Sequence, residues 1–217
     1  MYVGRIVAIG AAPDGRLTAM YRVSSRSFPN RMARILEDKV AIIPKPGHEN
    51  DIHKNPYIAY NCLRLAAGCA IAANGSQTDP IAEKIAAGIP PRDALVNELL
   101  ALDYEHDSYN TPRIAAVVTR GSRHAYLGIV RHDALLVRAF ELEPGTAFYV
   151  CTYEHNAPSE EYSDRAFRAD SAADACEYVL GHGAFADLER PVTAACALET
   201  PAADSFEIAA ADAAAAD

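Results

Sequence analysis

No run of about 18 apolar residues occurs anywhere in this chain of 217 residues, so no membrane-spanning helix is expected. The opening residues Met1-Tyr2-Val3-Gly4-Arg5-Ile6-Val7 lack the charged and apolar regions of a secretion signal. A broad basic face is also missing. The formal net charge is −9 and the pI is near 5.2, which argues against nucleic acid as a partner, because polyanion binding needs clustered cations. The five cysteines (Cys62, Cys69, Cys151, Cys176, Cys196) form no CxxC pair and their spacing is scattered. They read as reduced core thiols of a cytoplasmic protein, not as disulfides or metal ligands. The seven histidines stand singly without ligand spacing. No GxSxG, P-loop, HExxH or GxGxxG is present, and no repeat is evident.

The chain is 50% hydrophobic, enough at this length for one large core or two small ones. Alternating apolar residues predict strands over Tyr2–Gly10 and Leu17–Val23, joined by the turn signal Pro13-Asp14-Gly15. A second hairpin is expected over Met32–Leu36 and Val40–Pro44, then a polar loop over Lys45–Lys54, then strands over Tyr57–Leu65 and Cys69–Ala73. Helices follow. One runs over Pro80–Ala87, opened by Thr78 or Asp79 and stopped by Gly88; the next covers Arg92–Asp103, with Leu95, Leu99 and Leu102 at helical spacing. Strands return over Arg113–Thr119, His124–Arg131, Ala134–Leu142 and Thr146–Tyr153, followed by a helix over Ser171–Leu180 and a short strand over Val192–Ala197. Strand runs segregated from helix runs imply an α+β domain, with two sheets packed face to face and helices outside. With no linker in the middle, residues 1–199 read as a single domain. Residues 200–217, rich in Ala, Asp and Glu and without apolar period, read as a disordered tail.

Four polar segments interrupt the apolar pattern, each at the end of a strand or helix, where sites usually form. Tyr21–Arg31 packs three arginines and three serines into eleven residues. Arginine forks and hydroxyls suit an anionic, oxygen-rich ligand such as a nucleotide phosphate, and an ordinary polar turn accounts for them equally well. Tyr60-Asn61 is the second segment. Asn74–Asp79 ends a strand and opens a helix, so it either holds a phosphate on backbone N–H groups or simply caps the helix. The last runs from Leu102 through Arg113. In it Asp103, Glu105 and Asp107 have calcium-like spacing but lack the loop glycine and distal glutamate, so no metal is expected. Glu105, beside Tyr104 and His106, is either an acid/base or part of a solvated helix end.

Taken together, YRVSSRSFPNR at Tyr21–Arg31, NPYIAYNC at Asn55–Cys62, NGSQTD at Asn74–Asp79 and LDYEHDSYNTPRIA at Leu102–Ala115 resemble the archaeal-type IMP cyclohydrolases. The resemblance covers residues 1–155 most fully. It implies a four-layer αββα core like that of N-terminal-nucleophile hydrolases, used without their terminal nucleophile. Met1-Tyr2 agrees, offering no terminal Cys, Ser or Thr. The implied reaction closes 5-formamidoimidazole-4-carboxamide ribonucleotide (FAICAR) to IMP with loss of water, the last step of de novo purine synthesis. An amidohydrolase on the same fold, or a purine-nucleotide-binding protein without catalysis, are the alternatives.

Carried onto this chain, the resemblance makes Arg31 the group that steadies the formyl oxygen and Glu105 the group that moves protons. Arg22, Ser24, Arg26 and the turn Asn74, Ser76, Thr78 and Asp79 become candidates for the ribose phosphate, with Asp79 also suited to capping or ribose contacts. Arg22 lies inside the Leu17–Val23 strand, where alternation also allows a core salt bridge. Tyr60 would stack on the base or hydrogen-bond it, Asn61 would be a further substrate-binding residue, Tyr104 would shield Glu105 from water, and Arg113 would bind substrate or anchor the Glu105 loop. No cofactor or metal is implied. The expected partner is a small purine ribonucleotide, with neither nucleic acid nor membrane, and self-association is left open.

Overall fold

The computed structural model describes residues 1–201 and 205–214. The chain opens with strands β1 (Arg5–Ala11), β2 (Leu17–Ser24), β3 (Arg31–Leu36) and β4 (Lys39–Pro44), a short helix α1 (Asp51–Lys54), and strands β5 (Tyr60–Ala66) and β6 (Cys69–Ala73). Helices α2 (Thr78–Ala86) and α3 (Pro91–Leu102) follow. Then come β7 (Arg113–Thr119), β8 (His124–Arg131), β9 (Ala134–Glu141), β10 (Thr146–Cys151), β11 (Ser163–Asp164), helix α4 (Ala172–Gly181), β12 (Pro191–Glu199) and β13 (Phe206–Asp212).

The strands form two antiparallel sheets. One has six strands in the order β11-β10-β1-β2-β12-β13, the other seven in the order β3-β4-β5-β6-β7-β8-β9. Three apolar clusters define the layers. The largest lies between the sheets, where Val7, Ile9, Tyr21 and Val23 meet Ile42, Leu63, Ile114 and Leu127. The alternate residues Ile6, Ala8 and Met20 face outward onto Cys176 and Val179 of α4. Ile71, Ala73, Ala115 and Val117 face outward onto Ile81, Ile85 and Leu95 of α2 and α3. The order is therefore helix, sheet, sheet, helix. Strands β1 and β2 are covered on both faces, which is why they read as nearly continuous apolar runs. Edge strand β9 keeps a half-exposed pattern. All five cysteines are buried and free.

Two sequence expectations are corrected here. The strand expected from Tyr57 begins only at Tyr60. Pro56 has no N–H for a sheet ladder, and Asn55 Oδ1 accepts the Tyr57 N–H at 2.8 Å, so residues Pro56–Ile58 form a 3-10 turn instead. The tail expected to be disordered supplies β13, paired residue for residue with β12 from Thr193↔Asp212 to Glu199↔Phe206. Its alternation is real but written in small side chains. Phe206, Ile208 and Ala210 pack toward the inter-sheet core, while Ala209 and Ala211 pack toward α4. Residues 202–204 and 215–217 of that tail lie outside the described residues.

Candidate active site

At one end of the sandwich, the start of β1, the start of β3, the loop between α3 and β7, and the segment around α1 enclose a cleft of about 320 Å³. Arg5, Arg31 and Glu105 are on its wall, with Ser25, Ser27 and Lys54. This is the size range of a small-ligand pocket.

Glu105 is at the centre. It is only 2% exposed. An isolated bridge to Thr111, with the Glu105 N–H donating to Thr111 O at 2.8 Å, folds its loop back on itself. Asp107 fixes that loop by accepting the Tyr109 and Thr111 N–H groups and the Thr111 hydroxyl. Asp107 is thus a loop organiser, in keeping with the lack of calcium-loop features. Among the described residues, no group of three or more His, Cys, Asp or Glu is placed to hold a metal ion.

The two oxygens of Glu105 differ. Oε2 accepts from Arg5 Nη2 at 3.3 Å. Oε1 lies 3.7 Å from Arg113 Nη1 and, although buried, accepts no hydrogen bond from any described residue. The Nε atoms of Arg5 and Arg113 are likewise buried without a partner. A native interior rarely leaves such groups unpaired, so their convergence marks a site that a ligand completes. Burial pushes the Glu105 carboxyl above the ordinary carboxylate range, with Asp107 adding to it, while Arg5, Arg113 and Arg31 pull the other way. Burial also works against the Arg5 cation. Glu105 and the nearby Tyr60, Tyr21 and Tyr153 more than offset it, so the Arg5 pKa is raised and Glu105 is the titrating member.

Sequence dictates much of this placement. Gly4 has φ +73°, and a Cβ there would lie 2.1 Å from Thr152 Oγ1, so only glycine lets the chain enter β1 with Arg5 aimed inward. Gly75 is needed for a different reason: a Cβ would sit 2.7 Å from both Arg113 Nη1 and Gln77 Oε1. Below the arginines, the hydroxyls of Tyr21 and Tyr60 share a short hydrogen bond. Burial raises the pKa of both, and for Tyr60 the cations Arg31 and Arg5 act in the opposite sense. Two phenols provide two protons and only one is used between them.

The expected site residues separate into two sets. Arg31, 3% exposed, is beside Glu105 with its Nε donating to Phe28 O at 3.1 Å, and Tyr60 and Arg113 are there too. The others are elsewhere. Arg22 is fully buried on the α4 side of β2, donating to Ser24 Oγ and to the carbonyls of Val179, Phe185, Leu188 and Glu189. Arg22 and Ser24 both have the strand parity opposite to Tyr21 and Val23, which face the second sheet, and neither lines the cleft. Arg26 is at the rim, its side chain 58% exposed, over the Tyr2 ring and paired with Glu189. Asn74 is fully buried and ties Pro112 and Ile114 to the end of β6; Thr78 caps Gly75 O; Ser76 is exposed and outside the cleft. Asn61 donates to Asp79, which also holds Arg64, on the α2 side of the seven-stranded sheet. Tyr104 packs at a tilt against His106 and edge-on to His132, away from the cleft, as its alternation with Glu105 requires. Sequence reasoning missed Arg5, Gln77 and Tyr57. The Asn55-Pro56 turn signal that swings Tyr57 toward the Arg113 guanidinium was the one available clue.

The family model described as IMP cyclohydrolase-like protein matches residues 2–204. The chain belongs to that family. A protein of Methanosphaera stadtmanae named IMP cyclohydrolase is 47% identical over 210 residues, covering 96% of this chain and 98% of its own. One from Methanocella arvoryzae with the same name is 49% identical, with 96% of each chain covered. One from Halobacterium salinarum is 48% identical over 182 residues, covering 84% of this chain and 88% of its own. In this chain, the buried Glu105 carboxylate at the cleft has Arg5, Arg31 and Arg113 around it.

Proposed function

We propose that this chain is an IMP cyclohydrolase that closes FAICAR to IMP, acting in the cytoplasm on a free purine ribonucleotide. The observation that carries the reading is a buried carboxylate with one unpaired oxygen, ringed by Arg5, Arg31 and Arg113 on the wall and floor of a small cleft. Family membership supports it.

The chemistry asks for little else. Nucleophile and electrophile sit on one imidazole ring, so approach is already intramolecular. The carboxamide nitrogen bonds to the formyl carbon and loses a proton to Glu105, while the formyl C=O electrons move onto oxygen beside the Arg31 guanidinium. That oxygen takes a proton and becomes the hydroxyl of a carbinolamine. A second proton on it lets the C–O bond break, and water departs. The former formamide nitrogen gives up its proton as the ring C=N forms. Protons taken from two nitrogens thus leave on one oxygen. A carboxylate whose pKa is raised by burial suits both halves of that exchange, since it neither holds its proton too weakly nor refuses it. Tyr60, whose hydroxyl pairs with that of Tyr21, is placed to hydrogen-bond the heterocycle and takes no part in the proton balance. The ribose phosphate belongs at the mouth, near Lys54 and the Ser25 and Ser27 hydroxyls, with Arg26 behind Tyr2.

Incubating the purified chain with FAICAR and following IMP by absorbance tests the reading, with chelator present throughout. Steady conversion is expected. IMP binding without turnover would replace the enzyme with a nucleotide-binding protein.

A further inference from the structure

We propose that Arg5 and Gln77 are positioning residues that divide the labour between the two oxygens of Glu105, Arg5 fixing Oε2 and Gln77 holding Arg113 back from Oε1, so that Oε1 alone exchanges protons. The proposal rests on the cyclisation reading above and says how the carboxylate is kept both buried and usable.

The geometry is asymmetric. Arg5 Nη2 is within hydrogen-bond range of Oε2, at 3.3 Å. Arg113 Nη1 stops at 3.7 Å from Oε1, beyond that range, because the same nitrogen donates to Gln77 Oε1 at 3.2 Å. Gln77 is itself immovable. It is fully buried, and its Nε2 donates to Asn74 Oδ1 at 2.8 Å and to Ile114 O at 3.2 Å. Asn74 in turn accepts the Ile114 N–H and donates to Pro112 O. The segment that sequence leaves as either a phosphate turn or a helix cap brackets an arginine. Were Arg113 free to close on Oε1, the carboxylate would be held by a guanidinium on each oxygen, its lone pair occupied and its basicity reduced. Were Arg5 absent, the carboxyl would lose its nearest cation and the hydrogen bond that sets its rotamer.

The other charged or titratable groups facing Glu105 are Arg31 at the start of β3, Asp107 of its own loop, and Arg113 at the start of β7; Tyr21, Tyr60 and Tyr153 surround Arg5, and Lys54 also lines the cleft. Substitution at 5 removes one cation contact and substitution at 77 frees Arg113 to make one, with the remaining groups left in place, so the two positions predict opposite effects. Arg5→Met should move the acid limb of kcat/KM to higher pH by about one unit or more, and Gln77→Met should move it to lower pH by about one unit, as expected for losing and gaining a cation contact. Each should lower kcat about tenfold or more with KM little changed. Arg5→Lys should return the limb toward the wild-type position. Arg5→Gln serves in place of Arg5→Met if the latter does not fold.

The decisive readout does not need turnover. Infrared difference spectra taken across pH, with Glu105→Gln as the blank in each background, report the Glu105 carboxyl directly. Opposite displacements in the two variants support the division. A carboxyl titration unmoved by loss of Arg5, or moved in the same direction by both variants, overturns it. Failure of the wild type to cyclise FAICAR would count against the function proposed above and leave the titration result standing by itself.

Discussion

Replacing Arg22 by methionine should unfold the protein more readily without touching its chemistry. Met keeps most of the buried stem and removes the guanidinium. In the wild type that group donates to the carbonyls of Val179, Phe185, Leu188 and Glu189 and to Ser24 Oγ, with none of its surface exposed. Val179 O belongs to the last turn of α4, where carbonyls have no partner inside the helix. Burial pulls the Arg22 pKa down to about 10, still far enough above neutrality that the group is a cation at working pH. Each carbonyl stranded in the interior costs about 1–3 kcal/mol, and relief of the desolvated charge returns part of that. A net loss of about 3–5 kcal/mol follows, the range seen when one member of a buried charged network is removed. Domains of this size shift by about 2–4 °C per kcal/mol, so Tm should fall by roughly 6–20 °C. Urea titrations of both proteins, followed by kcat and KM at a temperature where the variant is folded, provide the check. An unchanged urea midpoint with KM raised tenfold or more would refute the structural role and return Arg22 to the substrate.

Three further outcomes are expected. Glu105→Gln should reduce kcat by about 10²–10⁴-fold, the usual worth of a general base, while IMP binding by calorimetry stays within a few fold; in the wild type, activity should be lost as pH falls through a Glu105 pKa above the usual carboxylate range, because the working form is the base. Gly75→Ala puts a methyl 2.7 Å from Arg113 Nη1 and Gln77 Oε1 and should lower kcat/KM by about tenfold through misplacement of Arg113, with circular dichroism unchanged; full activity would mean that Arg113 has no exacting position. Phe206→Ala should cost about 3 kcal/mol in a urea titration, since this side chain is 7% exposed and packs into the inter-sheet core; a midpoint like that of the wild type would mean that β13 is not part of the folding unit.

What the sequence made legible follows from how each residue's surroundings were written into its neighbours. Alternation and turn signals placed β6, β7 and β8 to the residue, because each is bounded by glycine, proline or charged turns. The same signals said nothing about which face mattered in β2. Both its faces are buried, so Tyr21 and Arg22 carry equal hydropathic weight although one faces the site and the other the end of α4. Strand β13 was missed because alanine alternating with alanine has no visible period, and its order comes from backbone pairing with β12. Arg31 and Glu105 stood out as members of polar segments at element ends, but local pattern left each with an ordinary structural reading, and only the family resemblance singled them out. Arg5 did not stand out, since a single arginine entering an apolar strand looks like an ordinary boundary residue. Its partner lies 100 residues away in sequence, and no local pattern can encode that pairing.

That separation bears on how the site is held. Arg5, Arg31 and Arg113 each stand at the first residue of a strand, β1, β3 and β7. The carboxylate they surround is on a loop, clamped by the Glu105–Thr111 bridge and by Asp107. The cations therefore inherit the rigidity of two sheets, and only the proton carrier depends on a loop. Three cations on flexible supports would collapse onto a lone buried carboxylate and neutralise it. Fixed to strand ends, with Arg113 further restrained by Gln77, they keep it unpaired on one side. The fold contributes to the chemistry by keeping one ion pair at 3.7 Å, short of a hydrogen bond, as much as by bringing the charges together.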